Sequence, residues 1–250
     1  MRFYLDTGSP QEVREAATFP FVAGFSTNPL LLRKAGMLRP EPLLEAALES
    51  GRRDFKAWIQ TDGENRAEIL EKVRQLEARF FALTGGEWAG PTLVHKIMPT
   101  FEGLWAAAHL ARAGKEVCIT GIANRVQAIG VATLPPVPPD EASGGCEGPP
   151  ASRTPPRPHA VAFYVGRVVD KGIDGVGEVA ACCAALVSAG LRVRVLAASI
   201  RSYDVVRALI EAVTNAGAAS ALDLTLPLGL LKTLLDDPVT ERALAEFRAL

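Results

Sequence analysis

The chain has 250 residues and a formal net charge of −1, because 27 lysines and arginines nearly balance 28 aspartates and glutamates. Hydrophobic residues make up 48% of it and charged residues 22%, which is ordinary globular usage and excludes a disordered or fibrous chain. The balanced charge gives no electrostatic reason to expect nucleic acid or an anionic membrane as a partner. No run approaches the roughly 18 consecutive apolar residues of a membrane span, and Asp6 interrupts the start of any secretory leader.

Short β-type runs alternate with longer runs of helical period along the chain. The predicted strands are Phe3–Asp6, Val22–Ser26, Phe55–Gln60, Thr92–Ile97, Val117–Thr120, Ala160–Val165, Arg192–Ala197 and Ala221–Leu226. The clearest helical patterns are Pro10–Ala17, Leu43–Ser50, Arg66–Leu83, Phe101–Ala113, Val176–Ala189 and Tyr203–Ala216. Eight repeats of strand and helix predict an α/β protein with parallel strands and crossover helices. Eight strands in about 250 residues favour a closed (β/α)8 TIM barrel rather than an open sheet. We predict that residues 1–250 form this barrel as a single domain.

Local features at the helix ends agree with this segmentation. Ser9 followed by Pro10 is typical of an N-cap with proline at the first helical position. Gly114, Gly190 and Gly217 follow three of the predicted helices, where a residue in the left-handed conformation is favoured. Agreement between independent local features supports the predicted elements.

One segment, residues 133–158, breaks the alternation of strands and helices. It holds nine of the chain's 18 prolines and several glycines, so it can neither pair in a sheet nor continue a helix. It precedes the sixth strand, which places it at the amino-terminal rim of a barrel, opposite the usual active-site face. We predict a flexible surface insertion, to which His159 is also assigned. The alternative is a polyproline II ligand for a partner protein.

The cysteines and the remaining histidines are interpreted as structural. The four cysteines show no spacing typical of a metal site. Cys182 and Cys183 lie in an alanine-rich helical run, where free buried thiols are expected. His95 and His109 fall inside a strand and a helix. We therefore expect a reduced, soluble, cytoplasmic protein.

Polar residues recur where the predicted strands end, which in a parallel barrel is the catalytic mouth. They are Asp6, Thr27, Asn28, Gln60, Lys96, Thr120, Tyr164 and Ser199. Lys96 is the most informative, because it lies in a predominantly apolar strand that should be buried. Burial without a partner lowers the pKa of an ammonium group, and a neutral amine is what a Schiff-base nucleophile requires. The alternative is a structural lysine paired with a core carboxylate such as Asp6.

Asp6 and Asn28 each have a structural alternative. Asp6 could cap the first helix, but Ser9 is better placed, which leaves Asp6 free for acid–base chemistry or for orienting a substrate. Asn28 precedes Pro29, which opens a helix, so capping that helix and binding a substrate hydroxyl are equally supported.

Cations follow two of the last predicted strands. Ser199 and Arg201 follow the seventh strand, where barrels often bind phosphate, and Arg167 follows the sixth. A surface salt bridge would explain either arginine alone. Their joint position beside one mouth favours an anion clamp.

Five ordered motifs resemble the transaldolase family, and most closely its short branch, which includes fructose-6-phosphate aldolase. They are Phe3-Tyr-Leu-Asp-Thr7, Ser26-Thr-Asn-Pro29, Val94-His-Lys-Ile-Met-Pro-Thr100, Phe163-Tyr-Val-Gly-Arg167 and Leu196-Ala-Ala-Ser-Ile-Arg201. The resemblance covers residues 1–131 and 160–248.

The resemblance implies a class I mechanism. Lys96 would form a Schiff base with a ketose carbonyl, and the iminium would act as the electron sink for carbon–carbon cleavage. Asp6 and Asn28 would hold substrate hydroxyls, while Thr120 and Gln60 would position a water. The implied catalytic residues are Lys96, Tyr164, Gln60, Asp6 and Thr120, and the implied substrate-binding residues are Thr27, Asn28, Arg167, Ser199 and Arg201. No metal or cofactor is implied, because the protonated imine supplies the electrostatic pull.

Four substitutions favour the aldolase branch of the family. Where transaldolases usually carry Glu, Phe, Asn and Ser, this chain has Gln60, Tyr164, Cys118 and Ala162. In transaldolases the Glu activates the water, whereas in the aldolase branch the tyrosine takes that part. The resemblance therefore predicts cleavage or synthesis of fructose 6-phosphate, or a similar sugar, from dihydroxyacetone and an aldehyde such as glyceraldehyde 3-phosphate.

Two alternatives stay open. One is a transaldolase of the pentose phosphate pathway, which transfers a dihydroxyacetone unit between sugar phosphates. The other is an inactive sugar-phosphate-binding scaffold. The family also implies a homo-oligomer, with rings of five that are often doubled to ten.

Overall fold

The computed structural model describes residues 1–87, 90–135, 157–236 and 238–249, and it shows a closed barrel of parallel strands. The strands follow one another around the barrel in chain order, and β8 pairs with β1 to close it. Their bounds are β1 (Phe3–Asp6), β2 (Val22–Thr27), β3 (Lys56–Gln60), β4 (Thr92–Ile97), β5 (Glu116–Ile122), β6 (Ala160–Tyr164), β7 (Arg194–Ala198) and β8 (Leu222–Leu226). The predicted (β/α)8 barrel is confirmed, with strand ends at most two residues from the predicted ones.

Helices follow the strands, and their ends carry the predicted caps. Their bounds are α1 (Pro10–Ala17), α2 (Pro29–Lys34), α3 (Glu41–Glu49), α4 (Arg66–Leu83), α5 (Phe101–Arg112), α6 (Arg125–Val131), α7 (Val165–Val169), α8 (Gly175–Ser188), α9 (Tyr203–Asn215), α10 (Leu228–Thr233) and α11 (Pro238–Arg248). Ser9 Oγ accepts a hydrogen bond from the backbone N–H of Glu12, as expected of an N-cap. Gly114, Gly190 and Gly217 have φ values of 75°, 65° and 65°, which confirms the predicted left-handed helix ends.

A small hydrophobic cluster fills the inside of the barrel below its mouth. It consists of Tyr4, Trp58, Val94, Cys118, Ala160, Ala162 and Leu196. The rings of Tyr4 and Trp58 meet edge to face with centroids 5.1 Å apart, and small alanines on β6 offset their volume. Val94 lies two residues before Lys96 on the same face of β4, so this layer is the floor beneath the lysine.

Charged side chains close the amino-terminal end of the barrel. Lys56 Nζ lies 2.5 Å from Glu116 Oε2 and 3.4 Å from His159 Nε2. Arg194 pairs with Asp223, which is only 1% exposed. The backbone of His159 is hydrogen-bonded to both neighbouring strands: its N–H donates to a carbonyl of β5 at 2.7 Å, and its C=O accepts from an amide of β7 at 3.1 Å. His159 directly precedes β6 and continues the pairing of that strand, so its assignment to the loop is wrong.

Most of the predicted insertion, residues 136–156, lies outside the described residues. The expected properties of segment 133–158 and the assignment of the chain to one domain therefore stay predictions. The described residues that flank the gap include Leu134, which is buried, and His159, which lies partly exposed at the amino-terminal end of the barrel. Among the helices that the structure describes, none has the length and apolar character needed to cross a membrane.

Candidate active site

The polar residues predicted from the strand ends lie at one rim of the barrel. Asp6, Thr27, Gln60 and Tyr164 end their strands, Lys96 and Thr120 lie just before the ends of β4 and β5, and Ser199 directly follows β7. Since all eight strands are parallel, these positions share the carboxyl-terminal mouth.

Lys96 is buried and makes hydrogen bonds only to uncharged acceptors in the described part of the chain. Its side chain is 4% exposed, and Nζ donates to Ser26 Oγ at 2.9 Å and to the carbonyl of Thr27 at 3.0 Å. Burial lowers the pKa of Lys96, and the charge of Asp6 opposes that change from a distance. The structural alternative of a direct ion pair with Asp6 is not observed. A buried amine with a lowered pKa is suited to nucleophilic attack.

Asp6 ends β1 at the same mouth, beside β2. It pairs in register with Ser26, whose hydroxyl is bonded to Lys96. Burial raises the pKa of Asp6, and the positive charge of Lys96 acts in the opposite direction. Because Ser9 caps α1, the Asp6 carboxyl is not needed there. A half-buried carboxyl with a raised pKa is suited to taking and returning a proton.

Tyr164 and Thr120 form a polar pair at the mouth on the adjacent strands β6 and β5. The Tyr164 hydroxyl lies 3.4 Å from Thr120 Oγ1, and either oxygen can donate. The guanidinium of Arg167 stacks over the tyrosine ring, 4.6 Å from its centroid. Helix α7 begins at Val165, directly after β6, and it is this early helix start that brings Arg167 back over the ring.

Gln60 presents its amide to the mouth and is held by a neighbouring carboxylate. Its Nε2 donates to both carboxylate oxygens of Asp62, at 3.1 and 2.9 Å. Its Oε1 is buried and has no hydrogen-bond partner among the residues that the structure describes. Gln60 pairs in register with Lys96, so the amide and the amine are cross-strand neighbours.

Asn28 and Thr27 lie where β2 meets α2. Asn28 Oδ1 accepts from the backbone N–H groups of Leu30 and Leu31, at 3.0 and 3.1 Å, so the amide oxygen caps the helix. The amide nitrogen has no acceptor among the described residues. Thr27 Oγ1 is buried without a partner among the described residues, and Thr27 pairs in register with Ile59 on the face of β2 opposite to Ser26, so the structure does not bring its side chain to Lys96. Capping therefore occupies only one end of the Asn28 amide.

The predicted anion clamp is only partly assembled in the structure. Arg201 Nη1 bonds Asp170 Oδ1 at 2.7 Å, and both side chains are largely exposed. Ser199 has a φ of 64°, which is unusual for a residue with a side chain. A Cβ on Gly166 would lie 2.0 Å from the Ser199 carbonyl oxygen, so only glycine permits this close approach of α7 to the loop after β7.

A cleft of about 790 Å³ extends from the mouth along α6 and α7. Tyr164 and Arg167 line it together with Lys171, while Met98, Val126 and Ile173 supply apolar surface, and Arg201 is not among its lining residues. The described residues contain no group of three or more His, Cys, Asp or Glu side chains that could hold a metal ion.

Two residues of the site, Ser26 and Asp62, were not singled out by the sequence analysis. Ser26 bonds the lysine, and its position inside the Ser-Thr-Asn-Pro motif was the available sign. Asp62 holds Gln60 and follows it by two residues, a spacing that carries no general meaning. Cys118 pairs in register with Lys96, and burial raises the pKa of its thiol to about 12, so it stays protonated and fills space.

Comparison with known protein families gives a match over nearly the whole chain. The family model described as Transaldolase/Fructose-6-phosphate aldolase matches residues 3–250. A "probable transaldolase" of Thermus thermophilus is 32% identical over 250 residues, covering 99% of this chain and 96% of that protein. A "probable transaldolase" of Roseiflexus castenholzii is also 32% identical, over 260 residues, covering 100% of this chain and 98% of the relative.

Comparison with solved structures supports the architecture. Malate synthase of Haloferax volcanii, in a magnesium and glyoxylate complex, aligns with a TM-score of 0.55 at 10% identity, covering 91% of this chain and 72% of that one. The flavin-binding domain of baker's yeast flavocytochrome b2 aligns with a TM-score of 0.52 at 12% identity, covering 90% and 56%. At such low identity the likeness concerns the fold alone.

Proposed function

We propose that this chain, which belongs to the transaldolase/fructose-6-phosphate aldolase family, is a class I aldolase that cleaves or forms fructose 6-phosphate or a similar ketose phosphate. As a member of that family it is an enzyme of the Schiff-base aldolase/transaldolase type. The products of cleavage would be dihydroxyacetone and an aldehyde such as glyceraldehyde 3-phosphate. The observation that carries the aldolase assignment is the Tyr164–Thr120 pair, which stands in a mouth where Gln60 supplies an amide in place of a carboxylate.

Lys96 would supply the nucleophile in the first step. Its Nζ attacks C2 of the ketose, and the resulting carbinolamine loses water to leave a protonated imine. The support for this role is the burial of the amine, the lowered pKa and the two neutral acceptors, Ser26 Oγ and the carbonyl of Thr27. These acceptors orient the amine and do not hold it charged as a carboxylate would.

Asp6 would take a proton in the cleavage step. The proton of the C4 hydroxyl passes to the Asp6 carboxylate, and the electron pair of the C3–C4 bond moves into the iminium. The aldehyde leaves, and an enamine of dihydroxyacetone stays on Lys96. The raised pKa of Asp6 supports this role, because it makes the carboxylate a better proton acceptor than an exposed aspartate.

Tyr164 would move the protons that complete the reaction. The enamine must gain a proton at C3, and water must then add to C2 so that Lys96 is released. The Gln60 amide cannot take a proton near neutral pH, whereas a phenol can both donate and accept a proton. The contact with Thr120 supports this role, because it fixes the direction of the Tyr164 hydroxyl.

Three further residues would bind the sugar phosphate. Arg167 stands over Tyr164 at the cleft, and Ser199 and Arg201 follow β7. We propose that Asp170 holds Arg201 at the edge of the mouth until a phosphate competes for it. A homo-oligomeric ring and a cytoplasmic location stay predictions.

The test is whether the enzyme releases free dihydroxyacetone without an acceptor aldose. Purified protein is incubated with fructose 6-phosphate alone, and dihydroxyacetone and glyceraldehyde 3-phosphate are both quantified over many turnovers. The proposal expects equal, continuing release of the two products, and none from Lys96→Met. Release of one aldehyde per active site, followed by a stop, would contradict it.

A transaldolase is the second candidate, because the two relatives at 32% identity carry that name. A transaldolase would hold the dihydroxyacetone unit on Lys96 until an acceptor aldose phosphate removes it. The same incubation distinguishes the two activities when erythrose 4-phosphate is added. Turnover that depends on this acceptor would favour the transferase.

A further inference from the structure

The orientation of the Gln60 amide is fixed by its neighbour Asp62. An ionised carboxylate only accepts hydrogen bonds, so the end of the amide that faces it must be the NH2 group. Both Asp62 oxygens lie within hydrogen-bond distance of Nε2, at 3.1 and 2.9 Å. The other end, Oε1, must therefore point away from Asp62.

The Oε1 atom of Gln60 lies at the end of the amide away from Asp62 and lacks a donor among the described residues. It is buried without a partner in the described part of the chain, whereas most buried polar atoms of proteins are hydrogen-bonded. Lys96 is its register neighbour on β4, and the backbone N–H of Thr61 donates to the Lys96 carbonyl at 3.0 Å, which holds the two strand ends together. A buried acceptor beside the reacting amine is a place for a hydroxyl or a water.

We infer that Asp62 is a positioning residue that makes Gln60 a pure hydrogen-bond acceptor for the water that adds to the imine carbon. The negative charge of Asp62 polarises the amide and increases the partial negative charge on Oε1. The neutral amide therefore accepts a stronger hydrogen bond from the water. This inference rests on the proposed function, since it concerns the hydrolysis of the Lys96 imine.

The step can be written with its atoms and charges balanced. The water oxygen forms a bond to C2, and the π electrons of the imine become the lone pair on Lys96 Nζ. One proton of the water is relayed through Tyr164 to that nitrogen, so the charge of +1 passes from the iminium to the ammonium group. The other proton stays on the new hydroxyl and donates to Gln60 Oε1. Gln60 and Asp62 neither gain nor lose a proton.

The test isolates this step from carbon–carbon cleavage. Dihydroxyacetone is incubated with enzyme in 18O-labelled water, and incorporation of 18O at C2 is followed by mass spectrometry. The exchange requires imine formation and hydrolysis only, and Lys96→Met supplies the uncatalysed background. Steady-state kcat and KM for fructose 6-phosphate are measured beside it.

Asp62→Asn is the informative variant, because an asparagine can offer either end of its amide and lets the Gln60 amide rotate. We expect it to lower the 18O exchange rate and kcat on the order of tenfold, with KM changed less than about twofold. Asp62→Glu should keep most of the rate. The control is Asp54→Asn, which removes an exposed carboxylate bonded to Arg52 at the opposite end of β3 and should leave both rates unchanged.

A swap of the two groups tests the orientation itself. Gln60→Glu alone sets two carboxylates against each other and should be slow. In the double variant Gln60→Glu/Asp62→Asn, the new amide can donate to one carboxylate oxygen and leave the other facing the water. We expect its exchange rate to exceed that of either single variant, a non-additive result that a purely structural role would not give.

The outcomes separate the two proposals. Wild-type exchange no faster than that of Lys96→Met would overturn the proposed Schiff-base function. Fast wild-type exchange with Asp62→Asn equal to Asp54→Asn would leave that function standing and overturn the role of Asp62. A double variant slower than both single variants would also overturn it.

Discussion

Replacing Tyr164 by phenylalanine should nearly abolish aldol cleavage while leaving the fold almost unchanged. The change removes one oxygen, whose single described contact is the 3.4 Å approach to Thr120 Oγ1. A hydrogen bond of this length contributes at most about 1 kcal/mol to the free energy of unfolding. For a chain of this size that corresponds to a fall in Tm of no more than about 4 °C. The ring stays, so its contact with Arg167 is kept.

The expected effect of the same change on catalysis is far larger. General acid–base catalysis contributes about 10²- to 10⁴-fold, or roughly 3–5 kcal/mol of transition-state stabilisation. The assay is the release of dihydroxyacetone from fructose 6-phosphate, measured beside thermal unfolding of both proteins. If Tyr164→Phe releases dihydroxyacetone within about threefold of the wild-type rate, the assignment of proton transfer to this phenol is refuted. The alternative transaldolase activity would survive the change.

Three further results follow from the same structure. Asp223→Ala removes a carboxylate that is 1% exposed and leaves the mostly buried Arg194 without its counter-ion. It should lower the free energy of unfolding by about 3–5 kcal/mol in a urea titration. A loss below about 1 kcal/mol would contradict this. Gly166→Ala must displace the backbone at Ser199, because the new Cβ would lie 2.0 Å from its carbonyl oxygen. Gly166→Ala should therefore raise KM for fructose 6-phosphate on the order of tenfold. The control is Gly130→Ala, whose Cβ would have nothing within 4 Å and which should leave KM unchanged. Equal KM values in the two variants would count against a substrate-binding role of the loop after β7. The rate of imine formation should rise with pH as Lys96 loses its proton. Because burial lowers the pKa of this amine, the rate should level off below the ordinary lysine pKa of about 10.4. A rate that still rises above that pH would contradict the lowered pKa.

Much of the fold and the position of the site could be predicted from the sequence, because both depend on periodicity. Alternation of strand and helix determines the barrel, and a polar residue at a strand end must lie at its mouth. Lys96 was a candidate because an ammonium group in an apolar strand needs a partner or a chemical role, and the structure shows it buried at the mouth. The end of β6 was misplaced by one residue, since Val165 is as apolar as the strand before it but begins α7.

The side-chain contacts at the candidate site could not be predicted from the sequence. The hold of Asp62 on Gln60 and the pairing of Arg201 with Asp170 depend on side-chain rotamers and on distances between loops. His159 was assigned to the loop, which ends at Pro158, whereas hydrogen bonds to β5 and β7 place its backbone in the barrel. Tertiary partners decided each of these positions, and sequence spacing does not reveal them.

The central claim is that Lys96 forms an imine with a ketose, and borohydride trapping tests it most directly. The folded protein is treated with dihydroxyacetone, and separately with fructose 6-phosphate, reduced with borohydride, digested and mapped by mass spectrometry. The account predicts a reduced three-carbon adduct on the peptide that contains Lys96 with dihydroxyacetone, and an adduct on the same residue with fructose 6-phosphate. No adduct in the folded protein, or one on another lysine only, would contradict it.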